Sequence, residues 1–257
     1  MQFKPIVFEG FNGRDEALRK IIRYITYKPM YYRTNDFGHS QRVCWLVEEL
    51  IPLAEKVYGS NFDGEKARTL ARVHDDAEII TGDIQLGNKL LMTAEELAKV
   101  KYDEENAIEI ISKRFPKSIN GYSYRELLLH SLKKDCLEAL LVKFCDKLDA
   151  FGEALHELAA GNRVFETGLP IGVRPPKDTY TKILSTFSQT HPEISALMSE
   201  DHPLFKPPQN IIFSSPSFHT EESILKKTGH IHYDYWKELT LKKGGQQGLR
   251  MLIERVE

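Results

Sequence analysis

Between Ala71 and Asp83 the chain sets His74, Asp75, Asp76, Glu78 and Asp83 within about three and a half helical turns, with Gly82 placed to stop the helix. Adjacent side chains on a helix point roughly 100° apart, so His74 and Asp75 can both reach one ion at the helix surface. Glu78 lies four residues beyond the first and three beyond the second, which brings three side chains to one patch. The same helix aligns Ala67, Leu70, Ala71, His74 and Ala77 on one side, so the histidine borders an apolar stripe. The plainer alternative is a hydrogen-bonded core histidine beside surface acids, and groups from elsewhere in the chain must decide between the two.

Two such groups exist. His39 falls in the first turn of a helix that Asn35 or Asp36 can cap. Asp146 flanks the apolar stripe of a long helix, with Asp149 as the competing candidate and an ion pair to Lys143 or Lys147 as the alternative role. Together His39, His74, Asp75 and Asp146 offer two imidazoles and two carboxylates from three helices. That set suits one divalent ion such as Mn²⁺, Co²⁺, Fe²⁺ or Zn²⁺, with Mg²⁺ as a harder option. A five- or six-coordinate ion keeps positions for water and a substrate oxygen, and it lowers the pKa of that water, so the expected chemistry is hydrolysis.

The elements that must position these residues read as helices. Leu18, Ile21, Ile22 and Ile25 predict a helix over Asp15 to Tyr27, ended by Pro29. Val43, Leu46, Val47, Leu50, Leu53 and Val57 predict the next, kinked or divided at Pro52 and closed at Gly59. Asp63 caps a third helix, expected to run through His74 to Gly82. The loop Asp83 to Thr93 offers Gly87, Asn88 and Lys89 to line a pocket. Thr93-Ala94-Glu95-Glu96 reads as a capping box for a helix reaching Phe115-Pro116, and a short helix follows over Tyr124 to Leu132. The clearest helix runs from about Asp135 to Ala160. Beyond Gly168 a Pro- and Gly-rich strap leads to a helix near Asp178 to Thr190, a proline-broken segment, a helix over Thr220 to Lys227 and a polar tail. There His230 and His232 alternate as on a strand, a weak second option for a metal. The expected fold class is all-α: a helical bundle over residues 1–173, with residues 174–257 as an extension packed on the same domain.

Composition sets bounds. A chain of 257 residues with 41% hydrophobic content can bury a sizeable core. A formal net charge of −2 gives no overall pull toward nucleic acid polymers or anionic membranes, so phosphate recognition must be local. Three cysteines without CxxC spacing argue for a reducing compartment. The start lacks a basic region followed by an apolar run, and no stretch of eighteen apolar residues occurs, which leads to the expectation of a soluble, cytoplasmic protein. No P-loop, dinucleotide-binding glycine pattern or internal repeat is present.

His39, then His74-Asp75, then Asp146 within Phe144-Cys145-Asp146-Lys147-Leu148-Asp149-Ala150 resemble the H…HD…D pattern of the HD-domain metal-dependent phosphohydrolases. The continuation His74-Asp75-Asp76-Ala77-Glu78-Ile79-Ile80-Thr81-Gly82-Asp83 is similar to the HDxxE…TGD signature of their 5′-deoxynucleotidase branch, and Leu158-Ala159-Ala160-Gly161-Asn162 to the end of its metal-aspartate helix. The resemblance covers Asp15 to Phe165 well. It implies an all-helical HD fold binding one divalent metal through the four ligands, and removal of phosphate from a (deoxy)nucleoside 5′-monophosphate. It further implies that Glu78 handles the proton of the attacking water or leaving alkoxide, and that Asp83 is a second acid near the sugar. Arg33 is the expected phosphate clamp, because a guanidinium grips two oxygens, with Lys89 in a similar part. Two departures stand out: Gly38 precedes His39 where the family carries an acid, and Ile84 to Lys89 replaces a proline-threonine-proline stretch. The competing readings are a nucleoside polyphosphate or alarmone hydrolase, and a binding module with a purely structural metal. A homodimer is left open.

Overall fold

The computed structural model describes residues 3–25, 27–32, 34–84, 89–167, 175–210, 213 and 215–255. The chain forms two compact units, one of Met1–Arg23 with Asn35–Cys145 and one of Tyr24–Thr34 with Asp146–Glu257. Among the described residues the regular structure is helical, as expected, apart from one two-stranded hairpin and an isolated bridge.

The first unit holds α1 (Arg14–Lys20), α2 (Asp36–Tyr58), α3 (Gly64–Val73), α4 (Glu78–Thr81), α5 (Ala94–Arg114), the hairpin of β1 (Ser118–Ile119) and β2 (Tyr122–Ser123), α6 (Tyr124–Lys133), and the start of α7 (Leu137–Ala159). Helix α1 stops well short of Tyr27: Ile21 turns extended, Ile22 bridges Asn35, and the Asp36 N–H donates to the Ile21 carbonyl at 3.2 Å. The chain leading into α2 therefore captures the residues predicted to prolong α1. Asn35 caps α2, its side chain accepting from the Gly38 N–H at 3.0 Å. Pro52 does not divide α2; it lies on the exposed side while Ile51 and Ala54 beside it are fully buried, and that burial outweighs the missing N–H. Helix α5 opens on the predicted capping box of Thr93 and Glu96. Phe11, Phe115 and Tyr124 stack around the hairpin side of this core.

The third helix is shorter than predicted. Helix α3 ends at Val73, and His74 to Ala77 form a tight turn in which the Asp76 N–H donates to Val73 (3.0 Å) and the Glu78 N–H to Asp75 (2.9 Å). These bonds span three residues rather than four, as in a 3₁₀ turn. The carbonyls that an α-helix would have used are taken by side chains: Arg14 donates to the Arg72 carbonyl and Ser131 to the His74 carbonyl at 3.0 Å. Gly82, at φ 71°, ends α4 as expected.

The second unit contains the rest of α7, α8 (Val164–Thr167), α9 (Pro176–Thr190), α10 (Ser195–Met198), α11 (Glu221–Leu225) and α12 (Ile231–Ile253). Its core gathers Phe151, Phe165, Phe187, Leu197, Tyr233 and Trp236. Trp236 lies flat over α7 at Gly152, where an added Cβ would fall 2.5 Å from the indole. The indole N–H donates to Asp149 at 2.7 Å. Where a polar tail was expected the chain forms α12, because His232, Tyr233, Trp236, Leu239 and Thr240 recur at helical spacing and bury one face. His230 is the cap of that helix, its ring accepting from the Tyr233 N–H and donating to the Gln209 carbonyl, so the alternating pair does not form a strand. Among the described residues no helix is long and apolar enough to cross a membrane.

Candidate metal centre and its acid cluster

Three of the four expected ligands meet in the first unit. His39, on the first turn of α2, is fully buried. Its Nε2 lies 3.4 Å from Asp75 Oδ2, and Nε2 of His74 lies 3.2 Å from the same oxygen. The two imidazole rings stand 5.3 Å apart, centre to centre. His74 Nδ1 lies 2.8 Å from the Ala71 carbonyl, which can only accept, so that nitrogen carries the proton and Nε2 presents its lone pair toward His39 and Asp75. An ion with bonds of about 2.1 Å spaces neighbouring donors about 3.0 Å apart at octahedral angles and about 3.4 Å apart at tetrahedral ones. The observed 3.2 and 3.4 Å lie within that span, so the donor set can accommodate a small divalent cation.

Asp146 is the first residue of the second unit and pairs there with Lys147, Nζ to Oδ2 at 2.6 Å. Asp149, its competitor by sequence, accepts the Trp236 indole N–H at 2.7 Å. Glu78 opens α4, and its carboxyl group is buried against those of Asp75 and Asp36, with donor atoms of the three within 4.8 Å of one another. Burial, then Asp75, Asp36 and Asp83, push the Glu78 carboxyl well above its usual range. Burial and Asp75 likewise push Asp36 up to about 7, against the pull of Arg23, whose guanidinium lies 3.6 Å away. Asp83 therefore adds its field to this cluster. Lys89 is half-buried and donates to Glu104 at 2.7 Å. Arg33, Gly87 and Asn88 lie outside the described residues.

Asp36 and Arg23 were missed as members of this group. Asp36 had a signal: it sits three residues before His39, hence on the same helix face, and it brings an acid to the region that Gly38 leaves bare. Arg23 had none, because its pairing depends on the extended segment after α1. A second mixed cluster, His130, Asp135 and Cys136, carries its own cation: Lys66 lies 3.6 Å from the Cys136 sulfur and 3.4 Å from Glu138.

A family model of 5′-deoxynucleotidases, YfbR-like, matches residues 16–170. A 5′-deoxynucleotidase of Yersinia pseudotuberculosis is 31% identical over 169 residues, covering 61% of this chain and 82% of the relative. One from Shewanella oneidensis is 28% identical over 132 residues, covering 50% of this chain and 65% of its own length. A solved structure, a conserved hypothetical protein from Pyrococcus furiosus, shares the fold with a TM-score of 0.51 at 23% identity, over 72% of this chain and 90% of that one. With the HD pair, Glu78 and the TGD turn all inside the matched span, the chain belongs to the YfbR-like 5′-deoxynucleotidase family.

Proposed function

We propose that the protein is a cytoplasmic, metal-dependent phosphohydrolase that converts a deoxyribonucleoside 5′-monophosphate and water to the nucleoside and inorganic phosphate. The observation that carries this reading is the approach of both Nε2 atoms to one oxygen of Asp75, with the His74 tautomer fixed by the Ala71 carbonyl, next to the buried Glu78. His39, His74, Asp75 and Asp146 would hold one divalent cation. When bound, that cation polarises a phosphoryl oxygen and acidifies a coordinated water.

The remaining work falls to the chain's own groups. Glu78 handles the proton, taking one from the attacking water or giving one to the leaving 5′-oxygen. Asp36 and Arg23 fix the charge around Glu78 from the α2 side. Arg33 grips the phosphate, Lys89 assists it by leaving Glu104, and Asp83 faces the sugar. Catalysis is assigned to residues 1–173, and residues 174–257 form an appended extension. The relatives named 5′-deoxynucleotidase support the substrate class, and the small formal charge supports a mononucleotide over a nucleic acid polymer.

The test is phosphate release from ribo- and deoxyribonucleoside 5′-monophosphates by metal-stripped protein with Mn²⁺, Co²⁺, Zn²⁺ or Mg²⁺ added singly. The expected result is metal-dependent release, faster from the deoxy series. Release from no mononucleotide with any metal, or full activity in the stripped protein, overturns the reading.

A further inference from the structure

Helix α3 breaks where its ligands begin, and the break has an identifiable cause. In an unbroken helix the Asp76 N–H would bond the Arg72 carbonyl and the Glu78 N–H the His74 carbonyl. Arg14, from a helix 58 residues earlier, occupies the first acceptor, and Ser131, from α6, occupies the second. The displaced N–H groups step to Val73 and Asp75, tightening the turn. Asp76 locks this arrangement. Its carboxylate receives Arg14 Nη2 at 2.6 Å and Nε at 2.7 Å, a two-point grip, and the Tyr124 hydroxyl at 2.7 Å. Arg14 and Asp76 are both buried, and Arg14 packs against the Phe8 ring. None of these groups points a donor atom into the His39, His74 and Asp75 cluster. They act on the backbone that aims it.

We infer that Arg14, Tyr124 and Ser131 are positioning residues for the metal centre: by capturing the Arg72 and His74 carbonyls and the Asp76 carboxylate, they hold residues 74–77 in the tight turn that presents His74, Asp75 and Glu78 together. The inference rests on the metal reading above. In a continuous α-helix Asp75 and Glu78, three residues apart, stand about 60° out of line, whereas three 3₁₀ steps of about 120° bring them onto one face of the turn. Groups that orient ligands without touching the ion typically alter metal affinity by about 10- to 100-fold.

The test titrates Co²⁺ into stripped protein and records its visible absorption, which reports coordination geometry, together with the melting temperature. Ser131→Ala removes a half-exposed hydroxyl at little risk to the fold, and Tyr124→Phe removes one bond to Asp76. Ile111→Val, in the core of α5, serves as a variant that lowers stability without touching the turn. The expected result is a roughly 10-fold weaker Co²⁺ affinity and an altered spectrum in Ser131→Ala and Tyr124→Phe, restored in Ser131→Thr, with Ile111→Val binding as the unaltered protein does. If both variants bind Co²⁺ with unchanged affinity and spectrum, the positioning role is overturned while the metal centre stands. If the unaltered protein binds no Co²⁺, Mn²⁺ or Zn²⁺, the metal reading fails and takes this inference with it.

Discussion

Two glutamates with buried carboxyl groups, one in each unit, show opposite ways of keeping such a group away from water. Glu157, on α7, accepts the Tyr31 N–H at 3.0 Å, the Tyr32 N–H at 2.7 Å and the Asn162 side chain at 2.6 Å, while Asn162 also donates to the Pro29 carbonyl. Burial raises its pKa, but every neighbouring donor pulls it back. Glu78 faces Asp75, Asp36 and Asp83, and burial together with all three acids drives its pKa in one direction. The first arrangement ties a loop to a helix. The second leaves a carboxyl group destabilised as an anion, a state that folding alone does not require and that a cation would relieve.

The comparison breaks first, and hardest, at Asp75. Asp75→Asn is expected to abolish metal uptake and to lower kcat/KM by about 10³-fold or more, read by metal analysis and phosphate release. Full metal content with full activity would remove the cluster's functional meaning. Next, Glu78→Gln should lower kcat by about 10²-fold or more while retaining metal. Its melting temperature should hold or rise, because a neutral amide replaces an acid among acids. A third measurement uses pH. Asp36 is pushed up to about 7 from the 3.8 of a free aspartate, so between about pH 4 and about pH 7 the folded state binds more protons than the unfolded state. The stability of metal-free protein should therefore fall as pH rises through that window. Calorimetry should find the slope flattened in Asp36→Asn and by saturating Mn²⁺. The smallest of these effects belongs to the second unit: Glu157→Gln should cost about 1–3 kcal/mol in urea unfolding, because one oxygen can still accept from the Tyr31 and Tyr32 N–H groups while the new amide NH2 faces the Asn162 side-chain donor. It should move kcat less than Glu78→Gln does.

Much of this was readable from the chain, and the exceptions in the first unit share one cause. His39, His74, Asp75 and Glu78 announce themselves because their spacing and residue types are local, as are the Thr93 to Glu96 capping box and the apolar steps of α2, α5 and α7. The early end of α1, the break of α3 at Val73 and the Arg23–Asp36 pair were invisible because each depends on groups distant in sequence. Arg14 reaches Arg72 and Asp76 across about sixty residues, and no window of helical periodicity registers a carbonyl taken from outside the helix. Helix α12 was missed for a different reason. Its polar residues and the glycine at 245, where the helix kinks at φ 52°, mask the buried face of Tyr233, Trp236 and Leu239.

The seat of Trp236 on Gly152 also makes the two units separately observable by light. The chain carries two tryptophans, Trp45 on α2 in the first unit and Trp236 on α12 in the second. Trp45→Phe leaves emission from an indole that is buried and bonded to Asp149, so its red shift during denaturation follows the second unit alone. Trp236→Phe leaves the first unit as the only emitter. Curves from the two proteins that coincide mean that the units unfold as one cooperative body, and curves that separate give each unit its own midpoint.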